Sequence, residues 1–159
     1  MDDAHAARAL DDGVMAYLKP PTIETRFFNP LALLTTLWDV HTLEVSRRRT
    51  GLLQRVPVIP VRHDGALYIV AVRGESDWVR NVRAAGVVDL RQRGILVTYA
   101  ATEVPAGQRS ATLTAYRKKA GRYVNGYWKK LPGDADHPTF KLTPVESIRQ
   151  DVGGNERTG

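Results

Sequence analysis

The sequence predicts an α+β protein whose strands close into a small antiparallel β-barrel. Three observations carry this. Short runs of strand character recur at Asp39–Val45, Val56–Val61, Leu67–Val72, Val87–Arg91, Ile95–Glu103 and Thr139–Leu142. Tight-turn signals separate several of them, since Asp64-Gly65 and Arg93-Gly94 offer the positive φ angles that a hairpin needs. Segments of helical period lie at the start, middle and end of the chain. Five or six strands are expected.

Residues 2–18 have the pattern of an amphipathic helix, with Ala7, Leu10, Val14 and Leu18 along one face and Lys19-Pro20-Pro21 as its stop. Asn29-Pro30 starts a second, short helix carrying Leu33, Leu34, Leu37 and Trp38. Residues 1–38 are therefore expected to be a helical segment packed on the barrel. Peripheral membrane contact through the first helix is a weaker expectation, because its polar face is acidic. The barrel is expected over residues 39–145. A basic loop, Arg47–Gln54, follows the first strand. Pro57 and Pro60 place the Val56–Val61 strand at an edge or a bulge. Leu67–Val72 is nearly all apolar and reads as a central strand. Ser76 or Asp77 can cap a helix running to Ala85, with Gly86 as its stop and Trp78, Val79 and Val82 as its apolar face. Gln108–Ala120 and Gly121–Lys130 read as two more helices, and Leu131–Pro138 as a polar loop. The tail, residues 146–159, has little to bury and is expected to be disordered.

The bulk properties narrow the function classes. A length of 159 residues suits one domain with a real core. No apolar run approaches the roughly 18–20 residues that span a bilayer, and Asp2 and Asp3 do not begin a secretory signal. The absence of cysteine removes disulfides, thiolate metal sites and a thiol nucleophile. A cytoplasmic protein is expected. The four histidines, His5, His41, His63 and His137, are scattered and predict no metal site. No nucleophile elbow, phosphate-cradling loop or dinucleotide fingerprint is present.

The formal charge of +6 favours anionic partners. Nucleic acid is disfavoured, because Tyr68 and Tyr99 stand isolated in apolar strands and are not interleaved with the basic residues. The cations concentrate in two loops. Arg47, Arg48, Arg49 and Arg55 surround the first, and Arg73, Arg80 and Arg83 the second. Guanidinium forks suit phosphate or carboxylate, so the two loops together predict a site for a multiply charged anionic cofactor. A solvated basic rim over a plain core is the competing reading.

In these loops the sequence resembles the deazaflavin-dependent nitroreductase family of actinobacteria. The resemblance rests on an ordered set: Arg48-Arg49-Thr50-Gly51, Arg55-Val56-Pro57-Val58, His63-Asp64-Gly65, Arg73-Gly74-Glu75, and Trp78-Val79-Arg80-Asn81-Val82-Arg83-Ala84-Ala85-Gly86. It runs from about Leu33 to Leu142. It implies a split β-barrel of the flavin-reductase type and, as cofactor, coenzyme F-420, an 8-hydroxy-5-deazaflavin with a phosphate and an oligoglutamate tail. Carried over, the phosphate and tail contacts fall on Arg48, Arg49, Thr50 and Gly51. Gln54, Arg55, Val56, Pro57 and Val58 lie next to the deazaflavin, as do Ala71, Val72 and Arg73. The following helix contributes Trp78, Val79, Arg80 and Asn81. Arg47 stands where the family has a glycine, Gln54 where it often has an arginine, and a serine that some members place near the deazaflavin has no clear match.

The implied activity is reduction of a small organic acceptor, such as a quinone, nitroaromatic or enone, by hydride transfer from the reduced deazaflavin. Tyr116, Tyr123 and Tyr127 fall where the family places substrate-pocket tyrosines, and each is a candidate proton donor or lid residue. The alternatives are an FMN-, haem- or lipid-binding split barrel without turnover. A monomer or a homodimer is compatible with the resemblance.

Overall fold

The structure, a computed structural model, describes residues 39–146. The two expected N-terminal helices and nearly all of the expected tail lie outside the described residues. Seven strands form one antiparallel sheet: β1 (His41–Ser46), β2 (Leu53–Val58), β3 (Val61–His63), β4 (Ala66–Val70), β5 (Val87–Gln92), β6 (Ile95–Glu103) and β7 (Thr139–Pro144). Among the described residues they are accompanied by the α-helices α1 (Asp77–Ala85), α2 (Ser110–Ala120) and α3 (Arg122–Lys130). The strand order is β2-β1-β5-β6-β7-β4-β3.

That order forces the sheet to curl. β2 and β3 lie at opposite edges, yet only Ile59 and Pro60 connect them. In a flat sheet of seven strands the edges would stand about 29 Å apart. The connection from Val58 to Val61 reaches about 11 Å at most. The two edges must therefore meet at this linker. No ladder joins β2 to β3, so the barrel is split along that seam. The expected Val56–Val61 strand is thus two strands, broken where Pro60 cannot continue a ladder. This break, together with an early start of β2 at Leu53, raises the expected five or six strands to seven and shortens the basic loop to residues 47–52.

The turns behave as the sequence suggests. Asp64-Gly65 and Arg93-Gly94 all have positive φ, and Gly86 ends α1 in the left-handed conformation at φ 67°. Ser76 occupies the N-cap of α1, but its side chain makes no capping hydrogen bond.

Two apolar clusters hold the body together. The inner one joins Leu43, Val45, Val58, Ile69, Val88, Leu90, Phe140 and Leu142 of the strands to Trp78, Val79 and Val82 of α1. The outer one joins Val61 and Val70 to Leu113, Tyr116, Ala120, Val124 and Trp128 of α2 and α3. β4 thus contributes to both, because alternate residues of a strand point to opposite faces. Burial of both faces explains its nearly continuous apolar sequence.

Candidate cofactor site

The β1–β2 loop is a tight turn closed by its own backbone. Arg47 N–H donates to the Leu52 carbonyl at 2.8 Å and Gly51 N–H to the Arg47 carbonyl at 2.9 Å. Gly51 sits at φ 72°, a conformation that side-chain-bearing residues rarely adopt. Nothing crowds its Cα, so the glycine serves backbone conformation and not close approach.

Asn81 ties this loop to α1. Its side chain is buried, with 1% of the residue exposed. Asn81 Oδ1 accepts from the Arg48 backbone N–H at 3.1 Å and from Arg48 Nη1 at 2.9 Å. Asn81 Nδ2 donates to Gln54 Oε1 at 2.7 Å. One amide thus holds the loop and the start of β2 together. Arg48 also reaches Asp77 Oδ1 with both terminal nitrogens, each at 3.2 Å. Around this pin lies a cleft of about 180 Å³ lined by Arg47, Arg48, Arg49, Thr50, Asp77 and Asn81. Among the described residues the Arg47 and Arg49 side chains have no carboxylate partner, and both residues are exposed.

The second loop disposes of its charge differently. Glu75 is buried and paired with Arg83 through both carboxylate oxygens, one contact measuring 3.0 Å. Arg80 Nε lies 3.9 Å from the same carboxylate. Arg83 continues to Glu103 at 2.6 and 2.7 Å, and Glu103 to the buried Arg109 at 3.3 Å. The Arg83 hydrogen bond holds the Glu103 carboxyl below the usual carboxylate range, against its partial burial. Arg73 lies over the Tyr127 ring, 5.8 Å from its centroid, and so joins the loop after β4 to α3.

The expected site residues fall into three groups. Arg48, Arg49, Thr50, Gly51, Gln54 and Asn81 come together at the β1–β2 turn. Ala71, Val72, Arg73 and Tyr127 gather where β4 leaves the sheet toward α3. Others face elsewhere. Arg55 is on the opposite face of β2 from Gln54, with its Nε 3.4 Å from the buried carboxylate of Glu44, which Arg91 also reaches at 2.9 Å. Pro57 shares the Arg55 side by strand alternation. Val56, Val58, Trp78 and Val79 belong to the inner cluster, and Arg80 lies by Glu75. Tyr116 is buried against Trp128, and burial pushes its phenol up. Tyr123 is half exposed, with the Arg122 guanidinium over its ring. Sequence reasoning missed two polar groups. One is Ser76 Oγ, buried with no hydrogen-bond partner among the described residues. The other is His137, fully buried behind the Ala71 loop.

These features fit an elongated anionic cofactor. Two exposed arginines, without carboxylate partners among the described residues, leave a cationic cleft beside the pinned Arg48. Ser76 Oγ is an unsatisfied donor and acceptor at the N-terminus of α1, the end that favours anions. Among the described residues there is no group of three His, Cys, Asp or Glu side chains that could hold a metal ion. Among them, too, no helix is long and apolar enough to cross a membrane.

Comparison with known proteins agrees with the geometry. The chain is similar to an F420-H2 dependent reductase, FDR-A, at 20% identity and TM-score 0.54, over 66% of this chain and 94% of that one. A structure described as a domain-swapped dimer matches at 19% identity and TM-score 0.54, over 78% and 100%. HutZ, the heme storage protein of Vibrio cholerae, matches at 10% identity and TM-score 0.51, over 73% and 88%. At these identities the structures establish the split-barrel fold. No curated protein sequence matches significantly. The sequence profile of F420H(2)-dependent quinone reductases matches residues 26–130, well over half of the chain. The chain belongs to the F420H(2)-dependent quinone reductase family, whose reductases take coenzyme F-420 as cofactor and act on a small-molecule substrate.

Proposed function

We propose that the β1–β2 turn holds the phosphate and oligoglutamate tail of coenzyme F-420, and that a quinone is reduced beside Arg73 and Tyr127. The observation that carries this reading is the contrast within one turn: Arg48 is pinned by Asn81 and Asp77, while Arg47 and Arg49 flank it without carboxylate partners among the described residues. A fixed backbone flanked by two exposed guanidinium groups favours a polyanion, because little backbone ordering remains to be done on binding.

In this reading Arg47, Arg49, Thr50 and Gly51 contact the tail. Arg48 and Asn81 set the shape of the turn. Gln54 of β2, with Ala71, Val72 and Arg73, borders the ring system, Val56 and Val58 back it from the inner cluster, and Pro57 lies on the Arg55 side of the strand. Trp78 and Val79 support it from the core, and Arg80 adds positive potential. Arg55 contributes to the outer face of the sheet through Glu44. When bound and reduced, the deazaflavin supplies the hydride. The protein binds, orients and excludes water. Tyr127 and the half-exposed Tyr123 are the tyrosines an acceptor can reach, and Tyr127 beside Arg73 is the candidate proton donor. The buried Tyr116 supports α3 from beneath. Quinones lead the acceptor classes because the family profile is that of quinone reductases; nitroaromatics and enones follow. The cytoplasm is the proposed location, and a monomer or homodimer the proposed assembly.

The test is turnover. Purified protein with reduced coenzyme F-420 is expected to reduce a simple benzoquinone or menaquinone analogue, followed by recovery of deazaflavin absorbance. Absence of turnover across quinone, nitroaromatic and enone acceptors would refute the reductase role.

A further inference from the structure

His137 is fully buried between β7 and α3, at 0% exposure. Its ring stacks on Trp128 with centroids 3.9 Å apart and planes inclined by 14°. Both ring nitrogens face backbone carbonyls. Nε2 lies 2.7 Å from the Leu131 oxygen, and Nδ1 lies 3.3 Å from the Ala71 oxygen. The next residue adds a third tie, since Ala71 N–H donates to the Pro138 carbonyl at 2.8 Å. Ala71 is therefore held through its N–H by Pro138, and its C=O lies against the His137 ring. Ala71 opens the loop that carries Arg73, and Gly74 N–H returns to the same Ala71 oxygen at 3.3 Å. Leu131 closes α3, and its N–H donates to the Tyr127 carbonyl at 2.8 Å. His137 thus touches the base of the Arg73 loop with one nitrogen and the end of the Tyr127 helix with the other. Across the gap between those two elements, Arg73 meets the Tyr127 ring.

We propose that His137 is a positioning residue for the reduction: it braces the Ala71–Gly74 loop against the C-terminal end of α3, so that Arg73 and Tyr127 face the acceptor as one rigid pair. Its importance to acceptor reduction rests on the function proposed above; the brace itself is a property of the protein without cofactor. Core stacking alone would need only an aromatic ring. A ring N–H donates to one carbonyl or the other according to the tautomer, which a phenyl ring cannot do, and the Ala71 N–H bond to Pro138 ties the loop in either case. A ring held by stacking and by two different backbone segments transmits small displacements of one segment to the other, and displacements of about 1 Å in a reactive site can cost about a hundredfold in rate.

The test separates stacking from bracing. His137→Phe keeps the ring beside Trp128 and removes both nitrogens. His137→Gln keeps an amide donor and removes the ring, and provides the comparison if His137→Phe folds poorly. Hydrogen exchange is measured first on protein without cofactor. In His137→Phe, exchange over 71–74 and 127–131 is expected to rise about tenfold or more, while the β5–β6 hairpin keeps its wild-type rates. The His137→Gln variant is expected to lose less protection at whichever carbonyl its amide reaches. A uniform rise across the sheet, or no rise at 71–74, overturns the brace. With cofactor and quinone, kcat/KM for the acceptor is expected to fall about ten- to a hundredfold in His137→Phe, with the cofactor Kd within about twofold. Local loosening without loss of kcat/KM overturns the positioning role. If wild-type protein shows no turnover, the reductase reading fails, and the exchange data still decide the brace.

Discussion

The two basic loops each carry three arginines, Arg47, Arg48 and Arg49 in one and Arg73, Arg80 and Arg83 in the other, and put their charge to opposite uses. In the 47–51 turn, one arginine is pinned and its two neighbours lack carboxylate partners among the described residues. In the 73–83 segment, Arg83 is bound to Glu75 and Glu103, Arg80 lies by Glu75, and Arg73 lies on Tyr127. In the proposed reading the first loop is a cationic surface that receives an anion. The second is a structural joint that ties α1 to β6 and the end of β4 to α3. An arginine count alone ranks them as equals. What separates them is the presence of buried acids, and Glu75 at 6% exposure decides the matter for its loop.

The sharpest way to break this contrast is to remove the joint. Glu75→Ala strips Arg83 and Arg80 of a buried partner and is expected to cost about 2–3 kcal/mol of folding stability by urea titration. Coenzyme F-420 tail affinity should follow only through unfolding, and a selective loss of affinity without loss of stability would reverse the assignment of the two loops. Asn81→Ala comes next. It leaves the Arg48 N–H and Gln54 without their amide and is expected to cost about 1–2 kcal/mol of stability. It should also weaken cofactor binding, because the turn loses its fixed shape. Loss of stability with unchanged cofactor affinity would show that the turn needs no pin. A third variant sharpens the comparison from the other side: Arg47→Ala with Arg49→Ala should leave stability within about 0.5 kcal/mol and act on binding alone.

The smallest effect lies outside both loops. Burial opposes ionisation of Asp39, yet hydrogen bonds from Gln92, Lys119 and His41 outweigh it and hold the carboxyl down to about 2 from an ordinary 3.8. A depressed folded-state value stabilises the fold above the unfolded value, and the contribution is lost as pH falls through the folded one. Asp39→Asn should therefore flatten the acid arm of the stability curve between pH 3.8 and about 2. The half-exposed site limits the gain at neutral pH to below about 1 kcal/mol. An unchanged acid arm would show that these hydrogen bonds do not hold in solution.

Much of this architecture is legible in the sequence because local chemistry dictates it. Asp64-Gly65, Arg93-Gly94 and Gly86 mark turns that need positive φ, and the chain turns at each. The apolar run at Leu67–Val70 announces a strand buried on both faces. The break at Ile59-Pro60 is not legible, since it depends on where the two sheet edges meet, and a proline between apolar residues fits one kinked strand equally well. In the site, Arg48-Arg49-Thr50-Gly51 and Asn81 are legible as parts of one feature. Which arginines are neutralised is not, because the partners of Arg83 stand 8 and 20 residues away in sequence. His137 carries no local signal at all. Its roles come from Ala71, 66 residues distant, and from the stack on Trp128.

The 47–51 turn is proposed as the open cationic surface of the pair. Fluorescence titration of coenzyme F-420 over a range of salt tests it most directly, on wild-type protein and on the Arg47→Ala, Arg49→Ala double variant. Binding tighter than that of FMN is expected, weakening as salt screens the tail contacts over a Debye length of about 10 Å at 0.1 M. The double variant should bind about ten- to a hundredfold more weakly, with a flatter salt dependence. Salt-insensitive binding, or equal affinity in the double variant, would contradict the account.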